Sequence, residues 1–271
     1  MKKISFLTFY FSEENYDLID TPEVFEKRAL DLTRMGFDGI ELMVRDASKV
    51  NLAMMEQLAQ QGVRYAALGT GKVYTVDGLS FSDPDPVVRK GAVQRIRDSI
   101  DLSTKIGAPP VILGSCRGAS KDVDGKAMKR ICDCLKECSE YAEKRDIRLA
   151  LEPMTSYELP YICCVDEAME VLDQIQSSHL GLTLDTCNMN IEEDSLERAV
   201  MKSAGRIFHV QIADNNRRYP SSGHIPFQSF LAVLYATGYD GYISAELSRY
   251  EEPLEDARRT LEYLRTVTHA L

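Results

Sequence analysis

Short apolar stretches alternate along this chain with longer amphipathic ones. Apolar and β-branched runs predict strands at 4–9, 37–44, 63–69, 110–114, 147–152, 179–185, 206–214 and 241–247. Stretches in which apolar residues recur every three or four positions predict helices at 22–35, 51–61, 86–106, 121–145, 165–176, 194–204, 226–237 and 253–268. Eight strand–helix pairs without a break in composition predict an α/β protein, a single (β/α)8 TIM barrel that forms one domain over residues 1–271.

Capping residues mark the predicted helix boundaries. Thr21 followed by Pro22 is typical of an N-cap and a first helical position, and Gly36 predicts the end of that helix. Further helices are expected to stop at Gly62, Gly107 and Gly238. The glycine-containing stretch 69–83 is predicted to be a loop.

Each of the last four predicted strands carries an oxygen-bearing side chain at or near its C-terminal end, namely Glu152, Asp185, Gln211 and Glu246. They are 33, 26 and 35 residues apart, and a βαβ unit takes about 30 residues or more. Because active sites of βα barrels lie at these strand ends, the four side chains are expected to converge. Buried carboxylates repel one another, so the cluster predicts a bound cation, and oxygen donors suit a hard divalent ion such as Mg²⁺ or Mn²⁺.

Each residue taken alone also has a simpler interpretation. Glu152 and Glu246 could pair with a cation on a neighbouring strand, and Asp185 could cap the segment that follows it. Gln211 could be a hydrogen-bonded polar group inside the barrel. The repetition on four successive strands favours the joint metal site.

Composition narrows the functional classes. The net charge of −10 disfavours nucleic acid as a partner. No apolar run reaches the roughly 18 residues of a membrane span, and the opening segment is interpreted as a strand and not as a signal peptide. Seven cysteines without a CxxC pair are typical of reduced thiols in a cytoplasmic protein, and Cys187 lies closest to the predicted site.

Five segments carry a resemblance to known proteins: LEPMTSYE (151–158), DTCNMNIEEDS (185–195), HVQIADNNR (209–217), AEL (245–247) and SDPDPVVRKGAV (82–93). Over essentially its whole length the chain resembles the xylose-isomerase-like barrel superfamily of sugar isomerases and epimerases. Within that superfamily it is most similar to ketose 3-epimerases of the D-tagatose/D-allulose type, and next to hydroxypyruvate isomerases.

The resemblance implies a function and a set of roles. Glu152, Asp185, Gln211 and Glu246 would bind a divalent metal, Mn²⁺ first and otherwise Mg²⁺, Co²⁺ or Zn²⁺. Glu152 and Glu246 would also be the catalytic acid–base pair, and Glu158 and Arg217 would hydrogen-bond a ketose. The implied reaction is C3 epimerisation, in which a proton next to a carbonyl is removed through a metal-stabilised enediolate. The implied protein is a homo-oligomer, a dimer or tetramer, that acts on a small molecule.

Two positions depart from the 3-epimerase pattern. These epimerases usually have histidine where this chain has Gln211 and Asn188, whereas hydroxypyruvate isomerases have glutamine at the first position. A hydroxypyruvate isomerase-like aldose–ketose isomerase is therefore the alternative, and Asn188 is a candidate substrate contact in either case.

Other candidate residues have two interpretations each. His209 shares a strand face with Gln211 and is either a buried hydrogen-bonded residue or a substrate contact, and His224 is a further candidate for substrate binding. Glu41, at the predicted end of the second strand, is either a substrate contact or part of a salt bridge. Arg117 and Arg249 could hold an anion or be solvated. The aromatic residues Phe6, Phe9, Tyr10 and Phe11 pack in the core or line a sugar pocket.

The run Gly69-Thr-Gly-Lys72 resembles part of a phosphate loop without the full spacing. Two other functional classes are weaker. DNA repair endonucleases share this barrel but use a histidine-rich zinc cluster, and this acidic chain has 4 histidines. A non-catalytic sugar-binding protein has no need of an acid–base pair.

Overall fold

Eight parallel strands close into a barrel in chain order. The computed structural model describes residues 2–10, 21–119, 124–248 and 252–271. Every strand is hydrogen-bonded to its neighbours in the sequence, and the last strand pairs with the first. The strands are β1 Lys3–Tyr10, β2 Gly39–Val44, β3 Tyr65–Gly69, β4 Val111–Leu113, β5 Leu149–Leu151, β6 Leu180–Asp185, β7 Ile207–Ile212 and β8 Tyr242–Ala245. The predicted (β/α)8 barrel is confirmed.

Helices connect the strands. They are α1 Pro22–Met35, α2 Leu52–Gln60, α3 Lys72–Thr75, α4 Pro86–Ile106, α5 Ala127–Glu143, α6 Val165–Ile175, α7 Thr186–Glu192, α8 Leu196–Lys202, α9 Phe227–Ala236 and α10 Pro253–His269. Short 3₁₀ turns lie at Ala47–Lys49 and Ser115–Arg117. No helix of the described residues is long and apolar enough to cross a membrane.

The predicted boundaries hold where capping chemistry is explicit. The Thr21 hydroxyl accepts the backbone N–H of Val24 at 3.4 Å, and Gly36 ends the helix at a φ of 105°, where glycine carries no Cβ penalty.

The prediction was wrong in three segments. The stretch 69–83 contains helix α3, and helix α7 was not predicted at all. Few residues of α7 are strong helix formers, so local propensity gave little signal. Helix α5 begins at Ala127 and not at residue 121, because Gly125 takes a left-handed φ of 67° just before it; residues 120–123 lie outside the described part.

The apolar core lies between the barrel and its surrounding helices, whereas the inner face of several strands is polar. In β6, Leu180, Leu182 and Leu184 alternate with Gly181, Thr183 and Asp185, and all are buried. Because successive side chains of a strand point to opposite faces, Thr183 and Asp185 share one face. The same alternation places His209 and Gln211 together on β7. Polar side chains therefore lead up the inside of the barrel to its C-terminal end.

Candidate active site

Three carboxylates meet at the C-terminal end of the barrel. Glu152 directly follows β5, Asp185 is the last residue of β6, and Glu246 directly follows β8. One oxygen of each lies within 4.8 Å of the others. Glu152 and Asp185 are buried, and Glu246 is partly exposed. The structure thus brings together the three acids that the sequence singled out.

Gln211, the penultimate residue of β7, offers a fourth oxygen. Its side-chain nitrogen donates a hydrogen bond of 2.6 Å to Glu41 Oε1. Its side-chain oxygen is buried and has no hydrogen-bond partner among the residues that the structure describes. An unpartnered buried oxygen is costly unless a ligand or cation completes it. Together with three close carboxylates, this oxygen fits a hard divalent cation.

Asp185 has two hydrogen-bond partners. Its Oδ1 accepts the backbone N–H of Asn188 at 2.7 Å and so caps α7, which is the simpler interpretation considered from the sequence. Its Oδ2 accepts Arg217 Nη1 at 2.8 Å. Each carboxylate oxygen has a second lone pair, so capping and cation binding are compatible.

Asn188 connects the arginine to another acid. Its side-chain oxygen accepts Arg217 Nη2 at 2.7 Å, and its side-chain nitrogen donates to Glu152 Oε1 at 3.1 Å. Arg217 reaches this position from a left-handed backbone conformation with a φ of 59°. The result is a continuous polar network that runs from Glu152 through Asn188 and Arg217 to Asp185.

The acids oppose one another electrostatically. Burial, with a further contribution from the charge of Asp185, raises the pKa of Glu152 to about 8, although Arg217 and Arg117 act against the shift. Loss of hydration and the charge of Glu152 raise the pKa of Glu246 well above its usual range. The nearby Asp185 carboxylate raises the pKa of Arg217. The protein alone therefore favours protonated glutamates, and a bound cation would favour the ionised forms.

A cavity of about 290 Å³ opens above the carboxylates. Its polar side holds Glu152, Gln211, Glu246, Arg217 and Glu158. Its apolar lining includes Leu7, Phe9 and Met43 from the first half of the barrel and Met154 and Leu247 from the second. This volume is near the lower end for small-molecule sites and suits a compact polar ligand with a carbon skeleton.

The aromatic run of β1 divides between the two interpretations given from the sequence. Phe9 lines the cavity, whereas Phe6 packs edge-on against Phe37 and Tyr10 against Phe25. Phe11 lies outside the described residues. The run Gly69–Lys72 also lines the cavity, and Lys72 begins the short helix α3; a phosphate-binding role for it stays a prediction.

The two candidate histidines lie outside the set that lines this cavity. His209 is buried, and its Nε2 is 2.7 Å from Glu41 Oε2. His224 is exposed, and its backbone N–H donates to Asn215 Oδ1 at 3.2 Å. Glu158 is exposed but does line the cavity. Substrate contacts for these residues remain predictions.

Arg117 corrects one sequence interpretation and Glu41 another. Arg117 is fully buried and neither solvated nor free for an anion, because it donates to the backbone carbonyls of Leu113, Glu152 and Ile162. The bonds to Glu152 and Ile162 connect the backbone before and after the segment that carries Glu158. Glu41 lies in the middle of β2, not at its end, and its Oε2 lies 2.7 Å from His209 Nε2 across the barrel. Arg249 lies outside the described residues.

Gly114 is a functional position that sequence reasoning missed. A Cβ atom there would lie 2.5 Å from Glu152 Oε2 and 3.2 Å from the Met154 sulfur. The carboxylate of Glu152 thus occupies space that any side chain at position 114 would fill. The only sequence signal was a glycine at the last position of the fourth predicted strand.

Comparisons with known proteins identify the family of this chain. The family model described as xylose isomerase-like TIM barrel matches residues 30–267. A D-psicose 3-epimerase from Enterocloster bolteae is 35% identical over 224 residues, which cover 78% of this chain and 72% of the relative. A 3-dehydro-D-guloside 4-epimerase from Escherichia coli is 26% identical over 260 residues, 90% and 95% of the two chains. A solved structure of L-ribulose 3-epimerase superposes with a TM-score of 0.86 at 22% identity, covering 100% and 95%, and so shares the fold.

Proposed function

The chain belongs to the xylose isomerase-like TIM barrel family, and from that premise we propose that it is a divalent-metal-dependent carbohydrate epimerase that inverts C3 of a ketose. The observation that carries the proposal is the placement of Glu152 and Glu246. They enter one cavity from strand ends three strands apart, beside the oxygens of Asp185 and Gln211. Relatives named as ketose epimerases support the substrate class.

The reaction needs two proton-transfer groups on different sides of one carbon. A carbon-bound proton next to a carbonyl is only weakly acidic, so its removal requires a nearby base and stabilisation of the resulting negative charge. One of the two glutamates removes the proton from C3, and the other returns a proton to the opposite face. A cation held by Glu152, Asp185, Gln211 and Glu246 would supply Lewis-acid stabilisation of the substrate oxygens.

Arg217 and Asn188 support this chemistry through charge and hydrogen bonding. Arg217 lines the cavity and retains its positive charge next to Asp185, so it places a fixed charge where substrate oxygens become negative. Asn188 hydrogen-bonds to both Arg217 and Glu152 and so fixes their relative positions. Glu158, at the cavity rim, is placed to accept hydrogen bonds from sugar hydroxyls.

Gln211 favours a second candidate function, because a glutamine at this position is the feature in which the chain resembles hydroxypyruvate isomerases. If the proton returns to the carbon next to the one that lost it, the same two carboxylates catalyse an aldose–ketose isomerisation. A hydroxypyruvate isomerase-like activity would use the same four oxygen donors and the same cavity. The two functions differ in the carbon that receives the proton.

A substrate panel tests the proposal. The purified protein is stripped with chelator, reloaded with Mn²⁺ and incubated with D-fructose, D-allulose, D-tagatose, L-ribulose and hydroxypyruvate. We expect interconversion of C3 epimers among the ketoses, and its loss without metal. Turnover of hydroxypyruvate alone would replace the epimerase by the second candidate, and no turnover of any ketose would contradict the proposed substrate class.

Several properties extend this proposal. Mn²⁺ is the first choice of metal, followed by Mg²⁺, Co²⁺ or Zn²⁺, and the whole chain is expected to act as one domain. We further expect a cytoplasmic dimer or tetramer that does not bind nucleic acid. Metal analysis of the purified protein and light scattering after size-exclusion chromatography check the metal and the oligomeric state.

A further inference from the structure

Glu41 forms an unusual contact across the barrel. Its carboxylate is fully buried; Oε1 accepts the side-chain N–H of Gln211 at 2.6 Å, and Oε2 lies 2.7 Å from His209 Nε2. Strands β1 and β8 separate β2 from β7 in the sheet. The contact therefore runs through the barrel interior and joins residues 168 and 170 positions apart in the chain.

The contact matters because a glutamine amide has two unlike ends. Its oxygen can bind a cation, whereas its NH₂ group carries only donors and cannot. A carboxylate accepts hydrogen bonds and does not donate them, so Glu41 selects the nitrogen end of Gln211. The oxygen end, on the other side of the amide, is the buried atom without a hydrogen-bond partner among the described residues.

His209 completes the arrangement. It lies two residues before Gln211 on β7, so both side chains reach the same face of the sheet. With one oxygen bonded to His209 and the other to Gln211, the Glu41 carboxylate is fixed at both oxygens. Rotation of the carboxylate would break one of two buried, charge-assisted hydrogen bonds.

We propose that Glu41, braced by His209, is a positioning residue that fixes the amide of Gln211 with its oxygen, and not its NH₂ group, toward the cation. The inference rests on the proposed function in one respect, namely that a divalent cation binds beside Gln211. Glu41 is not one of the three carboxylates that meet at the site, and it is not among the residues that line the cavity. Its effect is on cation affinity through the orientation of one ligand.

The first test is the Mn²⁺ affinity of the chelator-stripped protein, measured by isothermal titration calorimetry in the wild type and in Glu41→Gln. The variant keeps the size of the side chain but can donate as well as accept, so the Gln211 amide is free to invert. We expect affinity to fall by about 10- to 100-fold, the usual effect of losing a group that orients a metal ligand. The matched control is Ser244→Ala, which removes a buried hydroxyl from the residue paired with Gln211 on β8; its affinity is expected to stay within about twofold, well below that range.

A double-mutant cycle separates orientation from mere structural support. In a Gln211→His background, either ring nitrogen can bind the cation through its lone pair, and the other nitrogen then carries the proton and donates it to a side-chain oxygen of Glu or Gln at position 41, so residue 211 no longer has one end that cannot bind a cation. Glu41→Gln should therefore cost much less affinity in this background than in the wild type. Equal losses in both backgrounds would overturn the proposal, because they would show that Glu41 acts independently of the amide.

Two further outcomes are distinguishable. Wild-type affinity in Glu41→Gln would overturn the positioning role and leave the proposed epimerase intact, whereas no Mn²⁺ binding by the wild type would overturn both. If Glu41→Gln does not fold by circular dichroism, His209→Asn replaces it in the same cycle, since it removes the brace and keeps the carboxylate. A loss of affinity for His209→Asn that is larger with Gln211 than with His at position 211 supports the proposal, and equal losses overturn it.

Discussion

The two halves of the barrel contribute to the cavity in different ways. Strands β5 to β8 supply every oxygen donor of the proposed metal site, namely Glu152, Asp185, Gln211 and Glu246. Strands β1 to β4 and the residues that follow them supply surroundings of the site: the apolar residues Leu7 and Phe9, the space left by Gly114, and the Glu41 carboxylate that accepts a hydrogen bond from Gln211. The difference shows that the reactive groups come from one half of this barrel, whereas part of the structure that positions them comes from the other half.

If the second half carries the chemistry, Glu246→Gln should have the largest effect. The amide keeps an oxygen for the cation but cannot take up a proton, so we expect kcat at saturating metal to fall by about 1,000-fold or more, within the range for loss of a general acid–base group. Glu158→Gln is the matched control, because Glu158 lines the same cavity but is exposed. Its loss should be much smaller, and equal losses for the two variants would contradict the assigned roles.

Gly114→Ala changes the first half of the barrel, and we expect it to have the next largest effect on kcat. The added methyl group would lie 2.5 Å from Glu152 Oε2, so the carboxylate must move. We expect kcat to fall by about 10- to 100-fold, since small displacements of catalytic groups are costly. Urea unfolding should show a folded protein, because the atom displaced is the end of a flexible side chain. Unchanged activity in this variant would show that the observed position of Glu152 is not needed.

Protonation of the glutamates predicts a pH dependence of metal binding. Because burial and neighbouring charge raise the pKa of Glu152 to about 8 and also raise that of Glu246, Mn²⁺ must displace protons below that pH. Affinity should fall as pH decreases from 8 to 6, by up to about tenfold per unit for each proton displaced. Titration calorimetry in buffers with different ionisation enthalpies measures the protons released, and none released at pH 6 would contradict the shifts.

The same shifts predict an opposite trend for the metal-free protein. With the pKa raised on folding, the native state binds more protons than the unfolded state between about pH 4.5 and 8. The contribution of Glu152 to the free energy of unfolding is therefore largest at low pH and is lost as pH rises through this range. Thermal denaturation in chelator, compared between the wild type and Glu152→Gln at pH 5.5 and 8, measures it; the variant should lack this part of the pH dependence.

A substitution in the apolar lining of the cavity should have the smallest effect on catalysis. Phe9→Leu removes part of the surface beside the cavity and no group that binds metal or transfers protons. We expect KM to rise by a few-fold, as for small changes in an apolar pocket, with kcat nearly unchanged. A loss of kcat comparable to that of Gly114→Ala would show that the apolar lining also positions the reacting groups.

The sequence predicted the proposed metal ligands better than the residues that hold the surrounding structure in place. Glu152, Asp185 and Glu246 interrupt or end apolar runs, and strand order alone brings such ends together. The contact of Glu41 with Gln211 could not be predicted in this way, because it depends on how far each strand is shifted when the barrel closes. Arg117 looked like a solvated or anion-binding residue, but its partners are backbone carbonyls, which leave no trace in side-chain identity.

Deuterium exchange at C3 tests the central claim most directly. The Mg²⁺-loaded protein is incubated with D-fructose or D-allulose in D₂O, and the label is followed by NMR in the wild type and in Glu246→Gln. Two carboxylates that transfer protons at one carbon predict deuterium at C3 of both epimers in the wild type. In Glu246→Gln they predict no formation of the other epimer and exchange in at most one epimer, because a single carboxylate serves one face of the carbon. C3 epimers formed without deuterium, or epimerisation that persists in Glu246→Gln, would contradict the account.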